Sequence, residues 1–172
     1  DLPAVASDME TQLQGLESRF NQLAAMPGLL QALGKGDLQN GAVSKKVPDN
    51  LYLFFFRNDS LISWTSNQVT PPSAATTFEA GSSLVKLKNG WYLLLIHSAG
   101  DGQLVGLSPV KYAYPFENRF LHSLFYPGYQ VPDNIEVAEQ KLPGSLPVRN
   151  LKGDVLFSLY VSGQTKGSTT NI

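Results

Sequence analysis

The chain has 172 residues, a length that suits one domain with a sizeable core. Its formal net charge is −1 and its longest basic run is Lys45-Lys46, which argues against a nucleic-acid-binding surface or a membrane-surface helix. The absence of cysteine excludes disulfide frameworks, cysteine nucleophiles and thiolate zinc sites.

The first predicted element is a long amphipathic helix that ends at Pro27-Gly28. Ser7 and Glu10 have the spacing of a capping box, which would start the helix there instead of near residue 2. An apolar stripe with near-heptad spacing indicates either packing on the domain's own sheet or pairing with a second copy in a homodimer. The stripe begins at Leu2 and Val5, and the residues expected at a dimer contact are Met9, Leu13, Leu16, Phe20 and Leu23.

The middle of the chain predicts a short helix, a loop and then a β-hairpin. Residues 51–57 and 61–65 are the two strands, and they are separated by a turn at Asn58-Asp59-Ser60. The polar stretch that follows contains a proline pair and small residues, which cannot sustain a ladder of strand hydrogen bonds, and it therefore predicts a surface loop.

A three-stranded antiparallel meander comes next. Its strands are residues 84–87, 91–98 and 104–110, with turns at Lys88-Asn89-Gly90 and at residues 99–102. Pro109 has no N–H group to donate, so this end of the last strand is expected at a sheet edge or at the end of the strand.

The last third of the chain predicts a short helix and three more elements. The helix would start at Pro115 and stop at Pro127-Gly128, with an aromatic face made by Phe116, Phe120, Leu121, Leu124 and Phe125. A short strand follows at residues 134–140, then a closing hairpin at 146–163 and a polar tail. This order of elements indicates an α+β fold in which a long N-terminal helix packs on a mostly antiparallel sheet of five to six strands.

The sequence marks no catalytic or metal-binding residues, and no cofactor is expected. Gly100, Gly102 and Gly106 lie between two strands instead of between a strand and a helix, so they predict a hairpin turn and not a dinucleotide site. His97 and His122 lack metal-ligand spacing. A Ser-His-Asp triad stays open, because its members can lie far apart in sequence, but no G-x-S-x-G motif marks one.

One cluster of residue types suits a small-molecule pocket, because aromatic walls with a few polar groups are typical of such pockets. The alternative is that these aromatic residues are ordinary core and rim positions, since aromatic residues favour strands in any case. The candidate ligand-binding residues are Arg57, Trp64, Trp91, Tyr92, Tyr112, Tyr114, Arg119 and His122, with Phe116 beside them.

Several stretches of the chain resemble the extracytoplasmic sensor region of a group of bacterial membrane-bound sensor histidine kinases. In that group an aromatic-flanked W-[ST]-x-N leads to NGWY, then to GL…K…YPFEN, and finally to a G…LFSL strand. The likeness covers roughly residues 50–160. The matching positions are residues 64–67, 89–92, Lys111, residues 114–118 and residues 156–159.

This resemblance implies a PAS-like or Cache-like domain, cut from a longer chain between two membrane helices. Residues 1–27 would form a signalling helix, residues 28–162 the sensor domain, and residues 163–172 a flexible tail. The kinase core, its phosphorylated histidine and its ATP site would lie outside this chain, so the fragment itself is expected not to be an enzyme. The implied location is periplasmic, with membrane attachment through the flanking helices.

The resemblance also implies a mechanism. A small molecule or a partner protein would shift the sheet relative to the N-terminal helix of a homodimer, and the last strand would pass that shift to the second membrane helix. Two alternatives stay open: a ligand-binding module of a chemoreceptor or of an exported lipoprotein, and, more remotely, a stand-alone hydrolase.

Overall fold

A computed structural model describes residues 1–35, 44–72, 80–113 and 124–163. In these ranges the chain is α+β, with one long N-terminal helix and antiparallel strand pairings, as predicted. Short 3-10 turns lie at Ser44–Lys46 and Pro127–Tyr129. The helices are α1 (Leu2–Ala24) and α2 (Leu29–Gly34); the strands are β1 (Tyr52–Arg57), β2 (Ser60–Trp64), β3 (Gly81–Leu87), β4 (Gly90–Ala99), β5 (Gly102–Tyr112), β6 (Leu124–Phe125), β7 (Ile135–Ala138), β8 (Leu146–Arg149) and β9 (Val155–Val161).

The described strands form two sheets. The large sheet has the order β2-β1-β5-β4-β3, and β6 pairs with β5 beyond the end of β1. The small sheet has the order β7-β9-β8. The prediction of five to six strands is confirmed for the large sheet, whereas β7, β8 and β9 form a sheet of their own.

Helix α1 lies against both sheets, and its contacts are with β4 of the large sheet and with β8 and β9 of the small one. It begins at Leu2, with a proline in its first turn, so it starts ahead of the Ser7–Glu10 spacing. Pro27 and Gly28, the latter in the left-handed region at φ 81°, follow its end as predicted.

The apolar stripe of α1 is buried in the core of its own chain. Its five residues from Met9 to Leu23 are at most 8% exposed and pack with residues of both sheets, whereas Leu2 and Val5 are half-buried. Packing on the domain's own sheet is therefore confirmed. A homodimer through α1 stays a prediction, and it would use the opposite face of the helix, because these five side chains already have partners: Met9, Leu13, Leu16, Phe20 and Leu23.

The hairpins form where the sequence predicts them. Asn58 and Asp59 both adopt the left-handed region, at φ 48° and 65°, which matches the two-residue turn between β1 and β2. Strands β3, β4 and β5 form the predicted meander. The first hairpin joins this meander through β1, which pairs with β5 from Tyr52 opposite Leu107 onward.

Strand β5 continues past Pro109 to Tyr112, so the strand does not end there, which was one of the two expectations for this proline. On the side of β5 that faces β1 and β6, Pro109 lies between the two pairings. The pairing with β1 reaches Leu107, and the pairing with β6 begins at Lys111. Pro109 lies opposite Tyr92 of β4, beside an irregularity in the pairing between Trp91 and Tyr92, and such irregularities are positions where a strand tolerates proline.

The predicted aromatic helix is wrong at its described end. Leu124 and Phe125 form β6 and pair with Tyr112 and Lys111 of β5. Strand pairing with an available edge of β5 satisfies the backbone of these residues, and it overrides the helical spacing of the aromatic side chains. The other residues of that prediction, Pro115, Phe116, Phe120 and Leu121, lie outside the described residues.

The two faces of the large sheet are both apolar. One face packs on α1, and Leu53, Phe55 and Leu95 are among its buried residues. The other face has its own buried cluster, which includes Phe54 and Tyr92. The small sheet contributes to the core around α1, so α1 is the element that both sheets share.

Candidate functional site

A cleft of about 330 Å³ lies where the large sheet meets the small one. Its walls come from the end of β5, from β6, from the segment 126–133 and from the start of β7. We call it the inter-sheet cleft. Its lining residues are Tyr112, Leu124, Phe125, Tyr126, Pro127, Gln130, Val131, Pro132, Asp133 and Ile135.

The backbone of segment 126–133 is held in place by local hydrogen bonds. The N–H of Tyr126 donates to the carbonyl of Val110 at 2.9 Å, which extends the pairing of β6 with β5. The 3-10 turn closes with the N–H of Tyr129 on the carbonyl of Tyr126, and Gln130 then adopts the left-handed region at φ 51°. These turns bend the chain from the large sheet back to the small one, and the concave side of the bend is the cleft.

An ion pair joins the two sheets beside the cleft. The ammonium of Lys111 in β5 donates to a carboxylate oxygen of Glu136 in β7, and it also lies 5.2 Å from the ring centre of Phe125. The Lys111 side chain is 7% exposed and that of Glu136 is 37% exposed. The positive charge nearest to the cleft is therefore already neutralised by a partner.

Among the described residues, the remaining charge at the cleft is negative. Asp133 is exposed on the rim, and among the described residues its carboxylate takes part in no ion pair or side-chain hydrogen bond. The described lining contains no lysine, arginine or histidine. A negative rim above an aromatic and aliphatic wall favours a ligand with positive charge and an apolar body.

Two tyrosines stiffen the wall behind the cleft. The ring of Tyr126 meets the ring of Tyr129 edge to face, with centroids 5.8 Å apart. Tyr129 is 3% exposed. Burial raises the pKa of the Tyr129 phenol far above its ordinary value, although the neighbouring hydroxyl of Ser108 opposes the shift. The phenol therefore stays neutral, and it supplies no negative charge to the cleft at physiological pH.

The sequence-predicted ligand residues that lie in the described ranges do not converge on this cleft. Tyr112 lines it, but Trp64 and Tyr92 lie on the large-sheet face that points away from α1. Trp64 is 37% exposed on the edge strand β2, and Tyr92 is buried with its hydroxyl donating to the Asn89 side chain at 2.9 Å.

Arg57 and Trp91 lie on the α1 side of the large sheet. The Arg57 guanidinium packs over the ring of Phe55 and pairs with Asp101 at 3.6 Å. The ammonium of Lys86 lies 5.3 Å from the centre of the Trp91 ring. Both side chains therefore have partners, and neither lines the cleft, although Trp91 lies opposite Lys111 beside it. Three further predicted residues, Tyr114, Arg119 and His122, lie outside the described residues.

Sequence reasoning missed most of the cleft. The sequence predicts Phe125 in a helix that stops at Pro127-Gly128, and it predicts no role for Tyr126, Gln130 or Asp133. The signal that could have found them is the sequence Tyr126-Pro127-Gly128-Tyr129, because aromatic residues on both sides of a Pro-Gly turn are brought onto one bend. Asp133 carries no comparable signal, since acidic residues are common in loops.

His97 lies half-buried in β4, near the Gly100-Asp101 turn. Within the ranges that the structure describes, no three histidine, aspartate or glutamate side chains are close enough together to hold a metal ion. Nor does any helix in those ranges have the length and apolar character needed to cross a membrane.

Comparison with models of known protein families, with curated proteins and with solved structures found no match for this chain. The class of protein that is shown is therefore the one that the fold defines: an α+β domain with a long N-terminal helix shared by two antiparallel sheets.

Proposed function

We propose that this chain is the extracytoplasmic sensing domain of a transmembrane sensor histidine kinase, and that it transmits a conformational change across the membrane. The short sequence motifs that the chain shares with that group support the proposal. The long first helix, which packs on antiparallel sheet, supports it as well. In this proposal the domain has a PAS-like or Cache-like fold, lies in the periplasm and works as a homodimer, and its kinase core is outside the chain.

The observation that carries the proposal is a polar clamp between the first helix and the last hairpin. Three side chains of α1, at positions 10, 14 and 17, lie on one face of the helix and bond the backbone at residues 149–151. Glu10 accepts from the Arg149 N–H at 2.8 Å, Gln14 donates to the Arg149 and Asn150 carbonyls at 3.0 and 3.3 Å, and Glu17 accepts from the Leu151 N–H at 2.8 Å.

This clamp supports a mechanical link between the two ends of the domain. The turn at residues 149–151 leads into β9, the last strand, so α1 and the small sheet are tied by side-chain bonds in addition to core packing. A displacement of the small sheet would then move α1 as well. A sensor whose input and output elements lie on these two ends needs such a connection.

The inter-sheet cleft supplies a place where a signal can act on that link. A ligand in it would touch Phe125 of the large sheet and Ile135 of the small sheet together. Such a ligand can shift the equilibrium between two arrangements of the sheets only if it binds one arrangement more tightly than the other. The cleft is suited to this because its two walls belong to different sheets.

The decisive test is to read the coding sequence on both sides of this segment. Apolar runs of about 20 residues on both sides, followed by a helical linker and a kinase core, are the expected result. A lipoprotein leader before the segment and a stop codon soon after it would overturn the kinase proposal. The domain would then be a ligand-binding module of an exported lipoprotein. If the flanking membrane spans were instead followed by a chemoreceptor signalling domain, the domain would be the ligand-binding module of a chemoreceptor.

A further inference from the structure

We infer that the inter-sheet cleft binds a small organic cation, with an alkylammonium or quaternary ammonium head and a short polar tail. The inference deepens the proposed function by naming the ligand class of the sensor, and it rests on that proposal for its role in signalling. Binding itself can be measured on the present chain.

The aromatic wall is the first argument. The side chains of Tyr112, Phe125 and Tyr126 all line the cleft. Aromatic faces attract ammonium groups through the ring quadrupole, and several such faces around one space form the usual receptor for quaternary ammonium ligands. Phe125 already accepts the Lys111 ammonium at 5.2 Å, so a ring of this wall is used in that way within the protein itself.

The charge distribution among the described residues is the second argument, and it favours a cationic ligand over an anionic one. Lys111 is neutralised by Glu136, and no basic side chain lines the described cleft. Asp133 is left as a carboxylate without an ion-pair partner among the described residues. Among the described residues an anion would meet this like charge, whereas a cation would gain both the carboxylate and the aromatic faces.

The volume of the cleft and the polar side chains that line it narrow the class of ligand further. A volume of about 330 Å³ is at the small end of ligand pockets. A metal ion such as Ca²⁺ needs six or more oxygen ligands, and Asp133 and Gln130 are the acid and amide that the described lining offers. The Gln130 amide can instead bond a hydroxyl or carbonyl group on the tail of an organic ligand.

A matched set of three probes isolates the charge. Choline carries a trimethylammonium head, 3,3-dimethylbutan-1-ol has the same shape without charge, and 3,3-dimethylbutanoate is an anion of similar size. Titration calorimetry on this chain is expected to give a dissociation constant for choline about tenfold lower than for the alcohol, from the cation–π contribution. Binding of the butanoate is expected to be weaker than that of either probe.

Three variants tie the binding to the cleft. Asp133→Asn removes the rim charge, and Tyr126→Leu removes an aromatic face while it keeps apolar area; each is expected to weaken choline binding about tenfold. Asp154→Asn is the matched control, since Asp154 is an exposed aspartate in the turn before β9 and does not line the cleft. Thermal unfolding of each variant verifies that it is folded.

Three outcomes would overturn the inference: no saturable choline binding, equal affinity for choline and the alcohol, or choline binding that Asp133→Asn and Tyr126→Leu leave unchanged. None of them bears on the sensor proposal, because that proposal is decided by the sequence flanking the segment. Conversely, a gene that encodes a lipoprotein would overturn the kinase proposal and leave the proposal of a cation site unaffected.

Discussion

Gly106 shows how closely α1 approaches the large sheet. It lies in β5 opposite Leu53 and Leu95, and a Cβ atom there would come within 2.9 Å of the Phe20 ring and 3.2 Å of Leu51. Phe20 is 1% exposed, so its ring has no free space to move into. We expect Gly106→Ala to lower the free energy of unfolding by about 1–3 kcal/mol, as overpacked cores do. Urea denaturation of the variant and of the natural chain measures this difference in the free energy of unfolding.

Gly15 is the matched control for that substitution. It lies on the exposed face of α1, and a Cβ atom there would meet nothing within 4 Å. Gly15→Ala is therefore expected to raise the free energy of unfolding by about 0.5–1 kcal/mol, since alanine restricts the unfolded chain and favours helix. If both substitutions were neutral, the tight contact between α1 and β5 would be contradicted.

Tyr129 predicts how stability depends on alkaline pH. Burial raises its pKa above the ordinary value near 10, so the folded state keeps the phenol neutral while the unfolded state ionises. The stabilisation is complete below pH 10 and is lost as the pH rises toward the folded pKa. Between pH 9 and pH 11 we expect Tyr129→Phe to lose about 1.4 kcal/mol less stability than the natural chain.

Urea denaturation at the two pH values tests this, and Tyr160→Phe serves as the control. Tyr160 lies in β9 and is only half-buried, in contrast to Tyr129. Its substitution should leave the alkaline loss of stability close to that of the natural chain. The same loss in the Tyr129→Phe variant and in the natural chain would show that ionisation of Tyr129 does not govern the pH dependence.

At the scale of elements, the clamp between α1 and the last hairpin should depend most on its buried member. Glu17 is 8% exposed and accepts the Leu151 N–H, whereas the bond from the Arg149 N–H to Glu10 is exposed to solvent. We expect Glu17→Ala to cost about 1–2 kcal/mol and Glu10→Ala less than about 1 kcal/mol, because water replaces an exposed partner. Denaturant titration compares the two, and equal costs would contradict a clamp centred on Glu17.

Amide hydrogen exchange gives the same prediction a local readout. In the Glu17→Ala variant the Leu151 amide is expected to exchange faster, because it loses its acceptor, while amides in the centre of β5 keep their protection. Uniformly faster exchange would mean that the variant lowers global stability without opening the turn.

The elements that the sequence predicts correctly are those with local signals. Asn58-Asp59 and Asn89-Gly90 are local turn signals, and two-residue turns form there at residues 58–59 and 88–89, so the strands that they join must be neighbours. The pairing of β1 with β5 has no such signal, because about fifty residues separate the paired positions and only the burial of both faces selects it. The short strand β6 fails for a related reason: two residues carry too little periodicity to be distinguished from a helix.

The candidate site was less predictable than the fold. The enrichment of aromatic residues found Tyr112, but the same criterion also selected Trp64 and Trp91, which lie on opposite faces of the large sheet. Which aromatic residue reaches a cleft depends on where two sheets meet, and that is a property of tertiary packing. The sequence could not identify Asp133 as a site residue, because its role depends on the neighbouring Lys111 being neutralised by Glu136 in the folded chain.

At the scale of the whole molecule, the Lys111–Glu136 pair is the bond between the two sheets that is easiest to test. Glu136→Gln keeps the shape but leaves the buried Lys111 ammonium without a counter-charge, and we expect it to lower the free energy of unfolding by about 1–3 kcal/mol. Lys111→Met removes the buried charge, and the half-exposed Glu136 can then hydrate, so its cost should be smaller. The double variant is expected to recover most of the loss, since a buried pair can often be replaced by apolar groups.

The double-mutant cycle separates this coupling from the two individual effects, and Arg57–Asp101 provides the comparison. That pair is 3.6 Å apart, with side chains 41% and 61% exposed, so Asp101→Asn should change stability by less than about 0.5 kcal/mol. If Glu136→Gln were equally harmless, the charge of Lys111 would be solvated without its partner. The ion pair would then contribute little to the connection between the two sheets. The coupling energy between Lys111 and Glu136 therefore measures how strongly this pair holds the small sheet against the large one.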